Sequence, residues 1–395
     1  MTARHVIISG ASIAGLSTAF WMARCGWRVT VLERAEQFRD GGQNVDVRGV
    51  AREVVDRMGV LDAIGAANTT ETGTVLVDER GRVRAELPSD GPDGATAELE
   101  VLRGDFARVL LDALPEDVTV RYGDPIAAVQ DGEHAVTVTT ESGETRTADL
   151  LVVAEGVRSR TRGMVFGDAV ERRSLGVTMA FGTIPRTADD DDRWRWLTTT
   201  AGRQVHLRPD PYGTTRAILA YTADDGLVGA PRDEVLRRLR ARYAGVAWET
   251  PRVLDGFATS DDLYVDDLEQ IRVSRWRRGR VVLAGDAGWC VTPMGGGGAS
   301  LAVTAGYVLA ASLAEHDRLD DGLAAYETWM RPLVDDVQDL PRGITHFAYP
   351  QSRAALALRR VADGVLLSKP FRPLAAKLTE VAQTDRALPA MPAAA

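Results

Sequence analysis

Three short, uninterrupted apolar runs recur along the chain: Val6-Ile7-Ile8 behind His5, Leu150–Val153, and Val281–Ala284. Runs this short, closed by turn residues, are typical of strands buried on both faces of a parallel sheet. Each opens into a glycine-bearing segment: SGASIAG, AEGVRSR and AGDAGW. Ala14 to Cys25 is small and apolar with no strong breaker before Gly26, which predicts a helix, and Arg28–Leu32 (RVTVL) predicts a second strand. Ala299–Leu313 predicts another buried helix, starting where a run of four glycines ends. The middle of the chain has a different rhythm. Gln204–Arg208 (QVHLR) and Arg216–Tyr221 (RAILAY) alternate, as strands do when one face lines a cavity. The acidic run Asp189–Asp192 ahead of them reads as a solvated loop. Residues 336–395 read as helices broken at Pro341, Pro350 and Pro370, and the final ALPAMPAAA as a frayed tail. No internal repeat is visible.

Composition narrows the function classes. A chain of 395 residues allows one large or two medium domains. The formal net charge of −9 argues against non-specific binding to nucleic acid or an anionic membrane. Cys25 and Cys290 are the only cysteines, so neither a disulfide framework nor a thiolate metal cluster is expected. The N-terminus enters a strand without a secretory leader pattern, and no run of roughly 18 apolar residues offers a membrane span. A cytoplasmic, metal-free protein acting on a small molecule is the expectation, as a monomer or weak homodimer.

The chemistry begins at Gly10-Ala-Ser12-Ile-Ala-Gly15, between the first strand and helix. Gly10 permits the tight turn, and Gly15 lets helix and strand pack closely. The middle position must let backbone approach a pyrophosphate at the helix N-terminus. Ser12 stands there in place of glycine; it is small, and its hydroxyl can donate to a phosphate. Glu33 ends the second strand, where an acid would bond ribose hydroxyls. Strand, loop, helix, strand and terminal acid together predict a dinucleotide site. Downstream, Asp286 closes a strand and can bond a polyol, while the glycines before Ala299 leave N–H groups open to a ligand at a helix N-terminus. Between these sites lie Glu155-Gly156, Ser159 and Arg162.

These three motifs, in this order, resemble the single-component (class A) FAD-dependent aromatic monooxygenases. That group has the para-hydroxybenzoate hydroxylase fold, and the spacing is most similar to the tetracycline-inactivating flavin monooxygenase branch. The resemblance spans roughly residues 1–335 and decides for FAD over NAD. It implies an α/β fold: a Rossmann-like, glutathione-reductase-like FAD-binding domain with an inserted β-sheet substrate domain and C-terminal helices. The FAD domain would be discontinuous (1–70, 98–170, 268–335). The substrate domain would combine 71–97 with 171–267, and 336–395 would form C-terminal helices and tail. Carried over, Gly10, Ser12 and Gly15 would approach the pyrophosphate, Glu33 the adenosine ribose, and Arg34 the adenosine. Gln43, Asp46 and Arg48 fall in a segment lining the flavin, and Arg103 matches an arginine that contacts FAD before a helix. Asp286 would bond the ribityl chain, and Pro293 to Gly298, including Gly296, would pass under the isoalloxazine. Two positions depart from the pattern. Glu155 stands where aspartate is usual, in a loop serving FAD and the nicotinamide-reducing geometry, and Trp289 is bulky.

The resemblance implies that NADPH or NADH transiently reduces FAD and that one atom of O₂ passes to an aromatic or polycyclic, polyketide-like small molecule through a flavin C4a-hydroperoxide. Hydroxylation, epoxidation and Baeyer–Villiger insertion are all compatible. Substrate-side candidates on the predicted pocket sheet are Trp194, Trp196, His206, Arg208, Arg216 and Tyr221; His206, the one histidine there, could assist a phenol deprotonation, and no residue is assigned as catalytic acid or base. A flavin halogenase is excluded by chemistry: that family uses a lysine in its N-terminal flavin domain, and the only lysines here are Lys369 and Lys377. A catalytically idle FAD-binding protein of a biosynthetic pathway is the alternative, which NADPH-driven oxygen uptake would separate.

Overall fold

The computed structural model describes residues 3–69, 71–88, 99–223, 226–292, 296–366 and 386–391. The three apolar runs are central neighbours in one six-stranded sheet. Its order is Arg277–Arg278, Val281–Leu283, Leu150–Val153, His5–Ser9, Arg28–Glu33 and Thr119–Tyr122. All pairs are parallel except the Arg277–Arg278 edge. Register places Ser9 beside Leu32 and Val153, and Val153 beside Leu283. The three glycine-bearing segments therefore leave the same, carboxyl edge of the sheet side by side, where ligands bind in open α/β sheets.

Two helices lie across this sheet. Ile13–Arg24 is followed by a turn at Gly26, and Gly298–Glu315 crosses it closely. A Cβ on Gly306 would stand 2.5 Å from the Thr18 nitrogen, so glycine is what lets the two backbones touch. Gly298–Glu315 is long and apolar enough to cross a membrane, contrary to the sequence expectation, but every residue from Ser300 to Leu313 is buried inside the protein. Its apolarity serves the core.

The alternating middle of the chain forms a second, seven-stranded sheet: Tyr264–Val273, Val170–Pro185, Thr214–Thr222, Arg203–Pro209, Trp194–Thr199, Gly73–Val77 and Val83–Pro88. Period-two alternation separates its faces. Val75, Leu197, Val205, Leu207, Ala217, Leu219 and Tyr221 turn toward helices Arg232–Arg242 and Thr250–Thr259 and form a core with Leu239, Tyr243 and Phe257. Trp194, Trp196, His206, Arg208 and Ile218 share the opposite face through the register Trp196–His206–Ile218. A two-stranded ribbon, Asn44–Asp46 with Glu100–Leu102, lies next to that face. A three-stranded antiparallel sheet, Ile126–Asp131, Val136–Thr140 and Thr145–Ala148, completes the strands.

Three sequence expectations change. The acidic run is a staple, not a free loop. Asp190 binds Arg252 at 2.6 Å, Asp191 binds Arg193 and Arg195, and Asp192 binds Arg186 at 2.7 Å. Only Arg252 is distant in sequence; Arg186, Arg193 and Arg195 flank the run, and Asp189 and Asp192 do remain exposed. The helix Leu319–Gln338 passes through position 336, where a boundary was drawn, and Pro332 sits within it. Pro341 and Pro350 do fall between Leu319–Gln338, Ile344–Ala348 and Arg353–Leu366; Pro370 lies outside the described residues. Finally, the described part of the tail, residues 386–391, is docked. Leu388 is buried in the main core, Tyr307 donates to the Pro389 carbonyl at 2.8 Å, and Trp329 Nε1 donates to Ala387 at 3.4 Å.

Candidate cofactor and substrate site

The phosphate loop is built by close approach. Gly10 has φ +107°, and a Cβ there would stand 2.4 Å from the Ala154 carbonyl oxygen; on Gly15 it would stand 1.8 Å from that of Gly10. Both positions exclude any side chain. Ser12 takes the N-cap position of Ile13–Arg24 with no side-chain cap bond, and no acid occupies the first turn, so the helix N-terminus retains its positive end. The Ser12 hydroxyl instead accepts from Arg103 Nη2 at 3.2 Å. Glu33 accepts from the backbone N–H of Ala11 at 2.8 Å and of Ala35 at 2.9 Å, fixing its carboxylate beside the loop, and Arg34 next to it is exposed.

Arg103 begins helix Arg103–Asp112 and is held by two glycine contacts. A Cβ on Gly104 would meet the Asp40 carbonyl at 1.9 Å, and one on Gly42 would meet Arg103 Cβ at 2.9 Å. Its charge is also felt at Asp286 and at Tyr264 of the second sheet. Asp286 opens to the cleft yet is surrounded by protein; this desolvation pushes its carboxyl pKa up, with Arg103 opposing. An accessible carboxylate in low-dielectric surroundings suits hydrogen bonding to neutral hydroxyls.

The third wall is the start of Gly298–Glu315. Gly296 and Gly297 both have φ +66°, and Thr292, β-branched, has φ +68°, a strained conformation found preferentially at functional sites. Ser300 clamps this helix to the ribbon by donating to the Asp46 carbonyl at 2.8 Å and accepting from the Arg48 N–H at 2.9 Å. The Asp46 and Arg48 side chains pair at 3.2 Å. Gln43 accepts the Arg103 N–H through its carbonyl, while its buried side-chain amide has no partner among the described residues. Pro293 lies outside the described residues. An orphaned amide, a glycine cradle without room for a Cβ, and a carboxylate facing the cleft fit a dinucleotide with a polyol arm.

The two departures are accommodated locally. Glu155 accepts four hydrogen bonds: from Ser9 Oγ (2.5 Å), Ser159 Oγ (2.7 Å), Thr161 N (3.0 Å) and Thr161 Oγ1 (2.5 Å). Its carboxylate ties two strand ends to helix Arg160–Phe166 rather than facing the cleft. Trp289 packs in the core against Trp276, with ring centroids 4.2 Å apart.

On the second sheet, Trp194 and Trp196 stack with centroids 5.2 Å apart, and His206 lies 4.5 Å from Trp196. The Arg208 guanidinium sits 4.1 Å over Trp194. It donates to Glu71 at 2.9 Å and to Glu100 Oε1, and the same Oε1 accepts from Asn44 Nδ2 at 2.7 Å. One guanidinium faces two buried carboxylates. Burial pushes the Glu100 carboxyl up to about 7, with Arg208 opposing and Glu71 adding repulsion, while Glu71 is raised for the same first reason. Burial disfavours the Arg208 charge as well, but Glu100 and Glu71 outweigh it, so the arginine stays ionised.

Two of the substrate-side expectations need correction. Tyr221 points to the far face, buried against Tyr243 and Arg242, because its register position is one residue out of phase with Ile218 and Ala220. His206 shares the cleft-side face, but burial, reinforced by Arg208, pushes its pKa down to about 3. Such an imidazole stays neutral and cannot hold a substrate proton near neutrality. Arg216 is on this face too, bonded to Asp210 at 3.0 Å and Asp262 at 2.9 Å. Glu71, Glu100 and Asn44 escaped the sequence reading. The one available signal was a single acid, Glu100, inside the apolar run Leu99–Leu102.

Comparison with known proteins agrees with this geometry. The family described as "FAD binding domain" matches residues 3–340. The flavin-dependent monooxygenase eupH of Phoma sp. is 31% identical over 385 residues, covering 89% of each chain. Monooxygenase CTB7 of Cercospora beticola is 32% identical over 364 residues, covering 86% of each chain. Among solved structures, the tetracycline destructase Tet(51) superposes with a TM-score of 0.80 at 25% identity, covering 96% of this chain and 99% of that one. The glycine cradle, the cleft-facing Asp286 and these relatives place the chain in the FAD-binding-domain family, among the FAD-dependent monooxygenases.

Proposed function

We propose that the enzyme uses NADPH or NADH to drive insertion of one oxygen atom from O₂ into a flat aromatic or polycyclic small molecule held on the second sheet. The observation that carries this reading is Arg103, which bonds Ser12 of the phosphate loop and directly follows the strand Glu100–Leu102, whose Glu100 pairs with the Arg208 guanidinium over Trp194. This segment supports a site in which a nucleotide cradle and an aromatic-lined sheet face are neighbours. When bound, FAD supplies the redox and oxygen chemistry. Gly10, Ser12 and Gly15 would receive the pyrophosphate, with Arg103 offering a counter-charge. Glu33 and Arg34 would flank the adenosine, and Asp286 the ribityl hydroxyls. Gln43, Asp46, Arg48, Gly296 and Gly298 would border the flavin ring, where the helix N-terminus favours negative charge. The sheet carrying Trp194, Trp196 and His206 would orient the substrate and keep water out.

The test is direct. Purified protein should be yellow with releasable FAD, and an aromatic substrate should accelerate both NAD(P)H oxidation and oxygen uptake, with a product heavier by one oxygen. Protein that stays colourless and does not bind added FAD, or a flavoprotein that consumes no NAD(P)H, would overturn the reading; the second outcome describes an idle flavoprotein.

A further inference from the structure

The arginines on the substrate-side sheet face are not free to receive an anion. Arg208 is paired with Glu71 and Glu100, and Arg216 with Asp210 and Asp262, so two guanidinium groups meet four carboxylates. Both arginine side chains are about nine-tenths buried, and the Glu71, Glu100 and Asp210 side chains are 0–2% exposed, so solvent screens these charges little. Asp46, on the strand paired with Glu100, adds a further negative potential at Glu71 and Glu100.

The unpartnered polar atoms around Arg208 have the same bias. Asn44 uses its Nδ2 on Glu100, which leaves Oδ1 as a buried acceptor without a partner. Gln204 uses its Nε2 on the Ala348 carbonyl, so its Oε1 accepts from His206 Nε2 at 3.1 Å; His206 Nδ1 is then a second bare acceptor. Glu71 Oε1 and Glu100 Oε2 are two more. Against these four stand two indole donors, Nε1 of Trp194 and of Trp196. A buried polar atom without a partner is costly, so an occupant that supplies donors is favoured over one that supplies acceptors.

We propose that this site selects flat substrates that are neutral or cationic and carry hydrogen-bond donors, stacked on the Trp194–Trp196–His206 surface, and that it rejects aromatic carboxylates. The inference rests on the monooxygenase reading for the position of the substrate. A carboxylate brought to this face would find both arginines already paired with carboxyl groups and, among the described residues, more bare acceptors than donors. An amide or ammonium of the same shape would supply donors to those acceptors.

The experiment uses FAD-loaded enzyme and three probes of matched shape: naphthoate, naphthamide and naphthylmethylammonium. Binding is read from flavin absorbance and tryptophan emission at neutral pH. The amide and the ammonium should bind about tenfold or more tightly than the carboxylate. Glu100→Gln and, separately, Glu71→Gln should each strengthen carboxylate binding roughly tenfold and weaken the ammonium, whereas Glu100→Asp should retain the original order. Equal affinities, a preference for the carboxylate, an order unchanged by both glutamine variants, or binding of none of the three would overturn the proposal. FAD retention and NAD(P)H-dependent flavin reduction on the same samples test the monooxygenase reading separately. Normal reduction with the wrong charge order sinks the selectivity rule alone, and absent reduction sinks the underlying reading.

Discussion

At the scale of single residues, carboxylates divide according to what surrounds them. Asp286 faces the cleft, and a charge-assisted bond from it to a ribityl hydroxyl is worth about 1.5–3 kcal/mol. Asp286→Ala should therefore weaken FAD binding roughly ten- to a hundredfold with melting of the apoprotein unchanged, as fluorescence titration would show. Unaltered affinity would make Asp286 a turn residue only. Glu155 is turned inward by four donors, so its substitution should act on stability. Glu155→Ala should lower stability by about 2–4 kcal/mol in denaturant titration while flavin reduction in the folded fraction changes little. A large loss of reduction rate at unchanged stability would return Glu155 to the nicotinamide geometry. Glu100 gives a pH signature. Its folded pKa, about 7, lies above the unfolded value, so its favourable contribution is complete below about pH 4.3 and is lost as pH rises through 7. Between pH 5 and 8 the wild type should lose melting temperature relative to Glu100→Gln; parallel curves would contradict the assignment.

At the scale of elements, close contact between helices Ile13–Arg24 and Gly298–Glu315 controls how the glycine loop and the N-terminus of the second helix are held together. Gly306→Ala forces a methyl group into the Thr18 backbone, and overpacking of this kind costs about 1–3 kcal/mol. The separation it imposes should also loosen FAD, measurable as faster cofactor loss in dilution; a variant as stable and as yellow as wild type would show that the crossing has slack. The segment 386–391 is the other instructive element. Its sequence is small and proline-rich, which suggests fraying, yet Leu388 is buried and two backbone carbonyls accept from Tyr307 and Trp329. Deleting residues 386–395 should cost about 1.5–3 kcal/mol for the exposed leucine site, detectable by chemical denaturation.

At the scale of the whole molecule, the cleft exists because the carboxyl edge of the parallel sheet faces one side of the mixed sheet. The ribbon Asn44–Asp46 and Glu100–Leu102 runs between them, with Glu100 reaching Arg208 and Arg103 reaching Ser12. Glu100 and Arg103, three positions apart where the strand ends and the helix starts, thus connect the nucleotide cradle to the aromatic surface. The opposite face of the mixed sheet is covered by Arg232–Arg242 and Thr250–Thr259.

Features with a local cause were legible in the chain of residues. Buried strands follow from apolar runs, the loop from glycines at Gly10 and Gly15 with an acid at Glu33, and the long buried helix from an unbroken small and apolar segment. Even the alternation that puts Trp196, His206 and Arg208 on one face follows from a period of two. What could not be read locally depends on partners far apart in sequence. Arg216 and Tyr221 stand an odd number of positions apart on one regular strand, so alternation itself puts them on opposite faces; which of the two faces the cofactor meets is decided by the helices that cover the other. Glu71 and Glu100 stand 137 and 108 residues from Arg208. Asp190 stands 62 residues from Arg252. Charge pairing across such separations carries no periodic signal in the sequence. It is set by how the sheets come together, and here that packing determines which carboxylates stay open to a ligand and which are already satisfied.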